Sequence, residues 1–200
     1  MARPRSFDAD DALAAATRVF LTHGFDGATL EDLTGAMGVN KPSLYAAFGD
    51  KSALYAKVLA AYAAQAKAAV ETAIDSGDTL EGACRGVLLG AIDVYAPVRG
   101  HHLGCLIATT ATTAAGSAPA VRKVVATFLA ELDHLIEATL RKRFGRQLAA
   151  GAVASAAGVL SATMFALAIR ARAGTPREKL LAIAESAVDT IGTVAKARPG

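Results

Sequence analysis

A chain of 200 residues, 53% hydrophobic and 20% charged with no long Pro, Gly or Ser tract, has the profile of an ordered protein with room for one sizeable core. A net charge of +3 tolerates a polyanionic partner without demanding one, and two cysteines, Cys84 and Cys105, without CxxC or CxxH spacing argue against a disulfide framework or zinc module and for a cytoplasmic protein. The opening MARPRSFDADDA puts acids where a signal peptide carries its apolar run, so secretion is not expected.

Apolar residues recur three and four positions apart and no run alternates like a strand, so the chain reads as all-α. Phe7 to His23 forms a first helix with Leu13, Ala16, Val19 and Phe20 on one face, stopped by Gly24. Thr29 caps Leu30 to Met37, with Asp32 completing a capping-box start. Gly38 ends that helix, and Asn40 caps Lys41 to Phe48, where Pro42 is tolerated in the first turn. Gly49 stops the third helix, and Asp50 caps a long fourth, Lys51 to Ser76. Pro and Gly punctuation then predicts helices over Thr79 to Ala96, Gly104 to Ala115, Pro119 to Phe144, Arg146 to Ala173 and Pro176 to Ala197, nine in all. Short capped helices give way to long Ala-rich ones near residue 50, which divides the chain into a three-helix head, residues 1–50, and a six-helix body, residues 51–200.

In the head, Leu44 and Phe48 are four apart and turn inward with Leu30, Leu33, Val39 and Phe20, leaving Lys41, Pro42, Ser43, Tyr45 and Ala46 on the outer face. A short helix joined through a Gly-containing turn to a preceding one is the helix-turn-helix geometry that inserts its N-terminal residues into the DNA major groove. Bulk charge does not support this end: residues 1–51 carry five basic residues against seven acidic ones, a net of −2, so the reading rests on placement.

The segment from Phe7 to Tyr55 resembles the TetR family of bacterial transcriptional repressors, whose head motif runs G-x-x-x-T and then G-V-x-x-x-x-L-Y-x-x-F-x-x-K. Here these are Gly24 or Gly27 before Thr29, then Gly38, Val39, Leu44, Tyr45, Phe48 and Lys51. The resemblance implies a homodimer whose third helices enter the major grooves of a near-palindromic double-stranded operator, through Thr29, Lys41, Pro42, Ser43, Tyr45 and Lys51. Thr29 and Lys51 sit at helix N-termini, where amides and side chains can meet phosphate. Lys41 can reach a phosphate or a guanine edge, Ser43 a base, and Tyr45 a thymine methyl and a phosphate. Ala46 and Ala47 leave few side chains to read bases, so specificity leans on these residues and DNA shape. Arg3 and Arg5 either lie along a phosphate or minor groove or form a frayed, merely soluble end.

The body carries no GxGxxG, P-loop or HExxH, so an enzyme is the weaker class and no cofactor is expected; the rival reading is a helical-bundle enzyme or binding protein using Asp93, Tyr95, His101 and His102. The resemblance implies an effector cavity in the body and dimerisation through the last two long helices. On the first of these, Gly151, Ser155, Gly158 and Ala162 form a smooth ridge that fits either a partner helix or ordinary packing within one subunit. Tyr62, Val87, Tyr95, His102, Cys105, Thr109, Phe128, Met164 and Phe165 are candidate cavity residues, being the larger or adaptable groups among alanines, and they imply a small hydrophobic or aromatic effector. In RGHHLGCLIATT, Cys105 falls at a predicted helix N-terminus with two His upstream; it reads as a thiolate sensor, as in relatives with a similar Gly-Cys-Leu segment that sense electrophiles, or as a buried small hydrophobe. A metal site there lacks a fourth ligand. Leu148 to Ile169 has no charged residue over 22 positions, yet its Ala, Gly, Ser and Thr carry little transfer energy and no aromatic anchors flank it, so tight helix contact is expected rather than a membrane span.

Overall fold

The computed structural model describes residues 8–97, 103–113, 119–146, 148 and 151–196. Among these residues there are nine helices and no strand: α1 Ala9–Gly27, α2 Leu30–Met37, α3 Lys41–Phe48, α4 Lys51–Ser76, α5 Leu80–Tyr95, α6 Leu106–Thr112, α7 Pro119–Phe144, α8 Ala152–Arg172 and α9 Arg177–Lys196.

Helices α2 and α3 are too short to stand alone, and each of the first four helices begins on a side chain that satisfies an orphan amide. The Asp8 carboxylate accepts from the amides of Asp10 and Asp11 at 2.8 and 3.1 Å. Asn40 Oδ1 accepts from the Ser43 amide at 2.8 Å, and Asp50 Oδ1 from the Ala53 amide at 2.8 Å. Thr29 and Asp32 close a reciprocal capping box at the start of α2. Between α2 and α3, Gly38 takes a left-handed φ of 65°, which lets the Val39 amide turn back to the Thr34 carbonyl at 3.1 Å. That turn sets α3 across α2, with Leu44 and Phe48 driven into a core that holds Phe20 and Leu33.

Three boundaries differ from the sequence expectation because of a glycine, while both ends of α5, the end of α8 and the start of α9 differ by a single residue. Helix α1 continues past Gly24, whose φ of 72° and ψ of 177° break it, for one more turn to Gly27. Helix α8 starts at Ala152, not at Arg146, because Gly151 interrupts the chain at φ 83°. Helix α6 begins at Leu106: Gly104 lies outside it at φ 67°, where a Cβ would stand 2.7 Å from the Ala168 carbonyl oxygen. Only glycine lets this segment press so closely on α8. Phe7, Ala115 and Ala197 lie outside the described residues.

In the body, α8 packs between α5, α7 and α9 through Val153, Ala156, Leu160, Met164 and Leu167, and half of its most apolar stretch is buried there. Gly151, Ser155, Gly158 and Ala162 lie on its opposite, exposed side, so the ridge is not spent on packing within this chain. Helix α4 starts against α1 and α3 and runs on into α5 and α7, making one continuous rod from head to body. Helix α9 is tied to α5 by a bidentate Arg85–Glu185 pair, with three N–H···O distances of 2.9 to 3.0 Å, and by Arg177, which donates to the Ala96 carbonyl at 2.8 Å and pairs with Asp93.

Candidate DNA-reading helix and body cavity

Helix α3 shows one buried and one exposed side. Leu44 and Phe48 face the core, while Lys41, Pro42, Tyr45, Ala46 and Ala47 are exposed and Ser43 is half-buried. Tyr45 keeps 47% of its surface in solvent, one of three large hydrophobic side chains so exposed among the described residues. The outward stripe at positions i, i+1, i+4 and i+5 is what a groove-reading helix requires.

Two side chains expected to meet phosphate already have protein partners. The Thr29 hydroxyl donates to the Asp32 carboxylate at 2.6 Å and accepts from the Asp32 amide at 3.1 Å. The hydroxyl's bond, joined by the Thr29 amide donating to the same carboxylate at 3.0 Å, holds the Asp32 carboxyl below its usual range, and Thr29 is a cap first, with no second hydroxyl hydrogen to give a phosphate. Lys51 opens α4, but its ammonium lies 3.4 Å from the Asp26 carbonyl oxygen and 4.8 Å from the Phe25 ring centroid. An ammonium has three donors, so this contact orients Lys51 without using it up. Sequence reasoning missed Lys57, whose ammonium closes the end of α3 by donating to the Ala47 carbonyl at 3.1 Å. Arg3 and Arg5 lie outside the described residues.

The body holds a cavity of about 270 Å³ between α4, α5, α7 and α8. Tyr62, Val87, Tyr95, Cys105, Phe128 and Phe165 line it. Met164 and Thr109 do not. Met164 lies one residue, roughly 100° of helix, from Phe165 and is buried in the core instead. Thr109 faces a separate depression beside Ala168 and Arg172, its hydroxyl bonded to the Cys105 carbonyl at 2.9 Å. His102 lies outside the described residues. The walls missed from the sequence include Val70, Leu132 and the small residues Ala66, Gly86 and Gly90. Their signal was the pair of glycines four apart on α5, which removes side chains from one face and so makes room.

Along the cavity the described lining carries no Asp, Glu, Lys or Arg. Its mouth is marked by exposed Gln65 and by Val94, 61% exposed; buried Tyr95 and Cys105 close the inner end with Tyr62. Both tyrosine hydroxyls are raised well above their ordinary pKa, first by burial and then by the adjacent Cys105. Cys105 is the N-cap residue of α6 but makes no side-chain cap bond, and α6 spans only seven residues, so the dipole expected to favour a thiolate is short. Cys84, elsewhere in the core, is pushed up to about 12 by burial and by Glu81. The enzyme constellation is not assembled: Asp93 and Tyr95, two apart on α5, point to opposite sides, Asp93 to Arg177 at the surface and Tyr95 into the cavity. Its two histidines, His101 and His102, fall outside the described residues.

Head and body meet at a buried aromatic cluster. The Tyr55 ring, on α4, lies 4.7 Å from Phe20 and 4.9 Å from Phe25 of α1. Its hydroxyl bonds to Thr110 of α6. Since Thr110 donates its own hydrogen to the Leu106 carbonyl at 2.7 Å, Tyr55 is the donor. Arg172, at the end of α8, donates through one nitrogen to the Leu21 carbonyl of α1 at 2.8 Å and to the Leu103 carbonyl at 3.0 Å. Neither Tyr55 nor Arg172 was singled out from the sequence, because nothing local marks a contact made across 55 or 151 positions.

A capped three-helix head that presents a short helix outward, joined by one rod to a larger helical body with an apolar cavity, is the architecture of a helix-turn-helix transcriptional regulator. Residues 12–58 match the family model described as bacterial regulatory proteins, tetR family. Over 60 residues, 30% of either chain, the sequence is 45% identical to the HTH-type transcriptional repressor BdcR of Escherichia coli (strain K12). Over 91% of this chain and 88% of the relative it is 28% identical to the repressor ComR of the same organism. A cysteine mutant of the TetR family transcriptional regulator CifR, solved with a 26-base-pair double-strand operator DNA, superposes with a TM-score of 0.82 at 32% identity, covering 94% of this chain and 98% of that one. The chain belongs to the TetR family and is a DNA-binding transcriptional regulator.

Proposed function

We propose that the protein is a homodimeric repressor that leaves its operator when a small hydrophobic or aromatic effector occupies the body cavity. The observation that carries this reading is the division of α3, with Leu44 and Phe48 buried and Lys41, Pro42 and Tyr45 exposed. Residues 1–50 serve as the reading head and residues 51–200 as the effector-binding and dimerisation domain. Lys41, Ser43 and Tyr45 address bases and phosphates; Thr29 acts through the end of α2 and Lys51 through its remaining donors. The exposed ridge of α8 and the neighbouring small residues Ala182, Ser186 and Thr190 of α9 form the face on which a second copy docks, since helices lacking large side chains approach closely. The likeness to the operator-bound CifR complex supports the DNA half of this reading. The protein works in the cytoplasm, where its DNA is, and turns over no substrate.

Release requires that the effector bind the operator-free form better than the operator-bound one. The route is short. Cys105 and Tyr95 of the cavity flank the segment whose Leu103 carbonyl is gripped by Arg172, and Arg172 also grips α1. Tyr55 and Thr110 make a second link from α6 to the base of the head. An effector that shifts Cys105 therefore moves two anchors of α1 together. A second reading rests on the place of Cys105 in the cavity wall: a reactive effector held there would be captured by the thiol, and Cys105→Ser would then abolish the response.

Footprinting of the intergenic region beside the gene, with and without candidate effectors, tests the proposal. A protected near-palindrome released by an apolar compound is expected. Absence of any protected site, or an effector that binds equally well with and without operator, overturns it.

A further inference from the structure

The cavity is apolar along its length, with Gln65 at its exposed mouth and Tyr62, Tyr95 and Cys105 at its inner end. Its described lining contains no ionisable acid or base other than two tyrosines and a cysteine. Those three, Tyr62, Tyr95 and Cys105, line the same inner end, close enough for Cys105 to act on the ionisation of both tyrosines. A thiol sulfur is a poor acceptor, so two phenol donors set beside one stay available to a better acceptor. An oxygen arriving at that inner end would gain two hydroxyl donors, where the side chains along the walls between it and the mouth offer only carbon.

From this arrangement we infer that the effector is a neutral, largely apolar molecule of about the size of a substituted benzene, carrying one hydrogen-bond-accepting oxygen of the ketone or ester class that docks between Tyr62 and Tyr95. The inference rests on the reading of this cavity as the effector site. An anionic ligand is disfavoured for two reasons. Desolvation of a carboxylate is costly, and no lysine or arginine lines the described wall to offset it. The tyrosines are themselves pushed away from ionisation by burial, so they remain donors throughout the neutral range. A purely hydrocarbon ligand would fill the walls and offer neither hydroxyl an acceptor. Entry is by way of Gly90, at the exposed side of the lining: a Cβ built there meets nothing within 4 Å, so the space beside α5 is open.

Three compounds with the same heavy-atom skeleton separate the possibilities: acetophenone, isopropylbenzene and benzoate, each titrated calorimetrically into the full chain. The hydrocarbon leaves water more readily than the ketone, so the informative quantity is the change on mutation, not the raw order of affinities. Tyr62→Phe and Tyr95→Phe should each weaken acetophenone about fivefold, the worth of one net hydrogen bond, and leave isopropylbenzene unchanged or slightly tighter. Benzoate should show no measurable binding. Gly90→Leu and, independently, Val87→Phe fill the cavity and should abolish binding of both neutral compounds, with a cooperative thermal transition showing that each variant is folded. If both neutral compounds bind, are blocked by filling, and respond equally to the two Tyr→Phe changes, the ligand class is wrong and the cavity stands. Tighter binding of benzoate than of acetophenone overturns the class likewise. If neither neutral compound binds, or filling the cavity leaves them bound, the reading of the cavity as the effector site falls and the ligand class falls with it.

Discussion

Helices α2 and α3 are eight residues each and begin on Thr29 and Asn40, whose side chains accept from the third helical amide. Helices α6 and α8 begin on Cys105 and Gly151, which make no such bond. An eight-residue helix cannot bury enough surface to pay for its own ordering, so the head spends polar residues on helix ends. The body caps α4 on Asp50 and α5 on Thr79, but it clamps α8 between three neighbours and buries much of the seven-residue α6, and it leaves the starts of those two unmarked. One consequence concerns adaptability. A scaffold defined by caps and a glycine turn keeps its geometry when outer side chains change, as a reading head must. A scaffold defined by side-to-side packing can hold a cavity and shift around it.

The aromatic junction is the place to break that division. Phe20 is fully buried and its ring packs edge-on against Tyr55, so Phe20→Ala should lower stability by about 3–5 kcal/mol. Chemical denaturation of the variant should keep one transition, because the same ring supports head and body. Two resolved transitions, with the later midpoint where the wild type has it, would mean that the head melts as an independent unit.

Next in size is the reading face itself. Tyr45→Ala should cost about 1–3 kcal/mol per half-site in operator binding while leaving the denaturation midpoint in place, since the ring is exposed. Asn40→Ala should do the opposite in kind, lowering stability by about 1 kcal/mol through the lost cap. Wild-type operator affinity in Tyr45→Ala, measured by anisotropy, would take α3 out of the groove.

These two residues also show why the head was readable in advance. Thr29, Gly38, Asn40 and Gly49 are local signals whose meaning depends on three or four neighbours, and the boundaries Leu30–Met37 and Lys41–Phe48 followed from them. The start of α8 was misplaced because Gly145 and Gly151 bracket the connection, and only the first was treated as a stop. In the cavity, large residues such as Tyr62 and Phe165 were found because size is visible in a sequence. Gly86, Gly90 and Ala66 were not, because a cavity is made by what is missing, and where two gaps coincide depends on how helices cross. Met164 and Thr109 failed for the complementary reason: helical phase relative to neighbours is a tertiary property.

A smaller effect tests how buried the junction and the cavity end are. Tyr55, Tyr62 and Tyr95 all have pKa values raised above the ordinary 10.0, chiefly by burial. A phenol with a raised folded-state pKa contributes stability that is present in full below pH 10.0 and is lost as pH rises further, because the unfolded chain ionises first. Stability should therefore be flat toward pH 9 on this account and fall above about pH 10, less steeply in each Tyr→Phe variant. Tyr55→Phe should in addition cost about 0.5–1.5 kcal/mol at neutral pH, since Thr110 keeps its own bond to Leu106. An alkaline slope that none of the three substitutions alters would mean that these hydroxyls are hydrated in the folded state.

The smallest expected effect separates positioning from readout within the head. Lys51, held near α1 by Asp26 and Phe25, carries its charge at the start of α4. Lys51→Ala should weaken operator and random duplexes in similar proportion and reduce the slope of log K against log salt by about 0.9, the yield of one phosphate contact. Ser43 is neutral, half-buried, and stands in the first turn of α3, where its amide is already given to Asn40. Its replacement by Ala releases no counterion, so the salt slope should stay while preference among base-substituted operators changes. Isotherms at several salt concentrations on native, substituted and random duplexes give both quantities from one set of titrations. Should Lys51→Ala alter sequence preference while Ser43→Ala alters only affinity and slope, the two residues have exchanged roles. The register of α3 in the groove would then have to be rotated about its axis, and the buried pair Leu44 and Phe48 limits that rotation to a small tilt of the whole head.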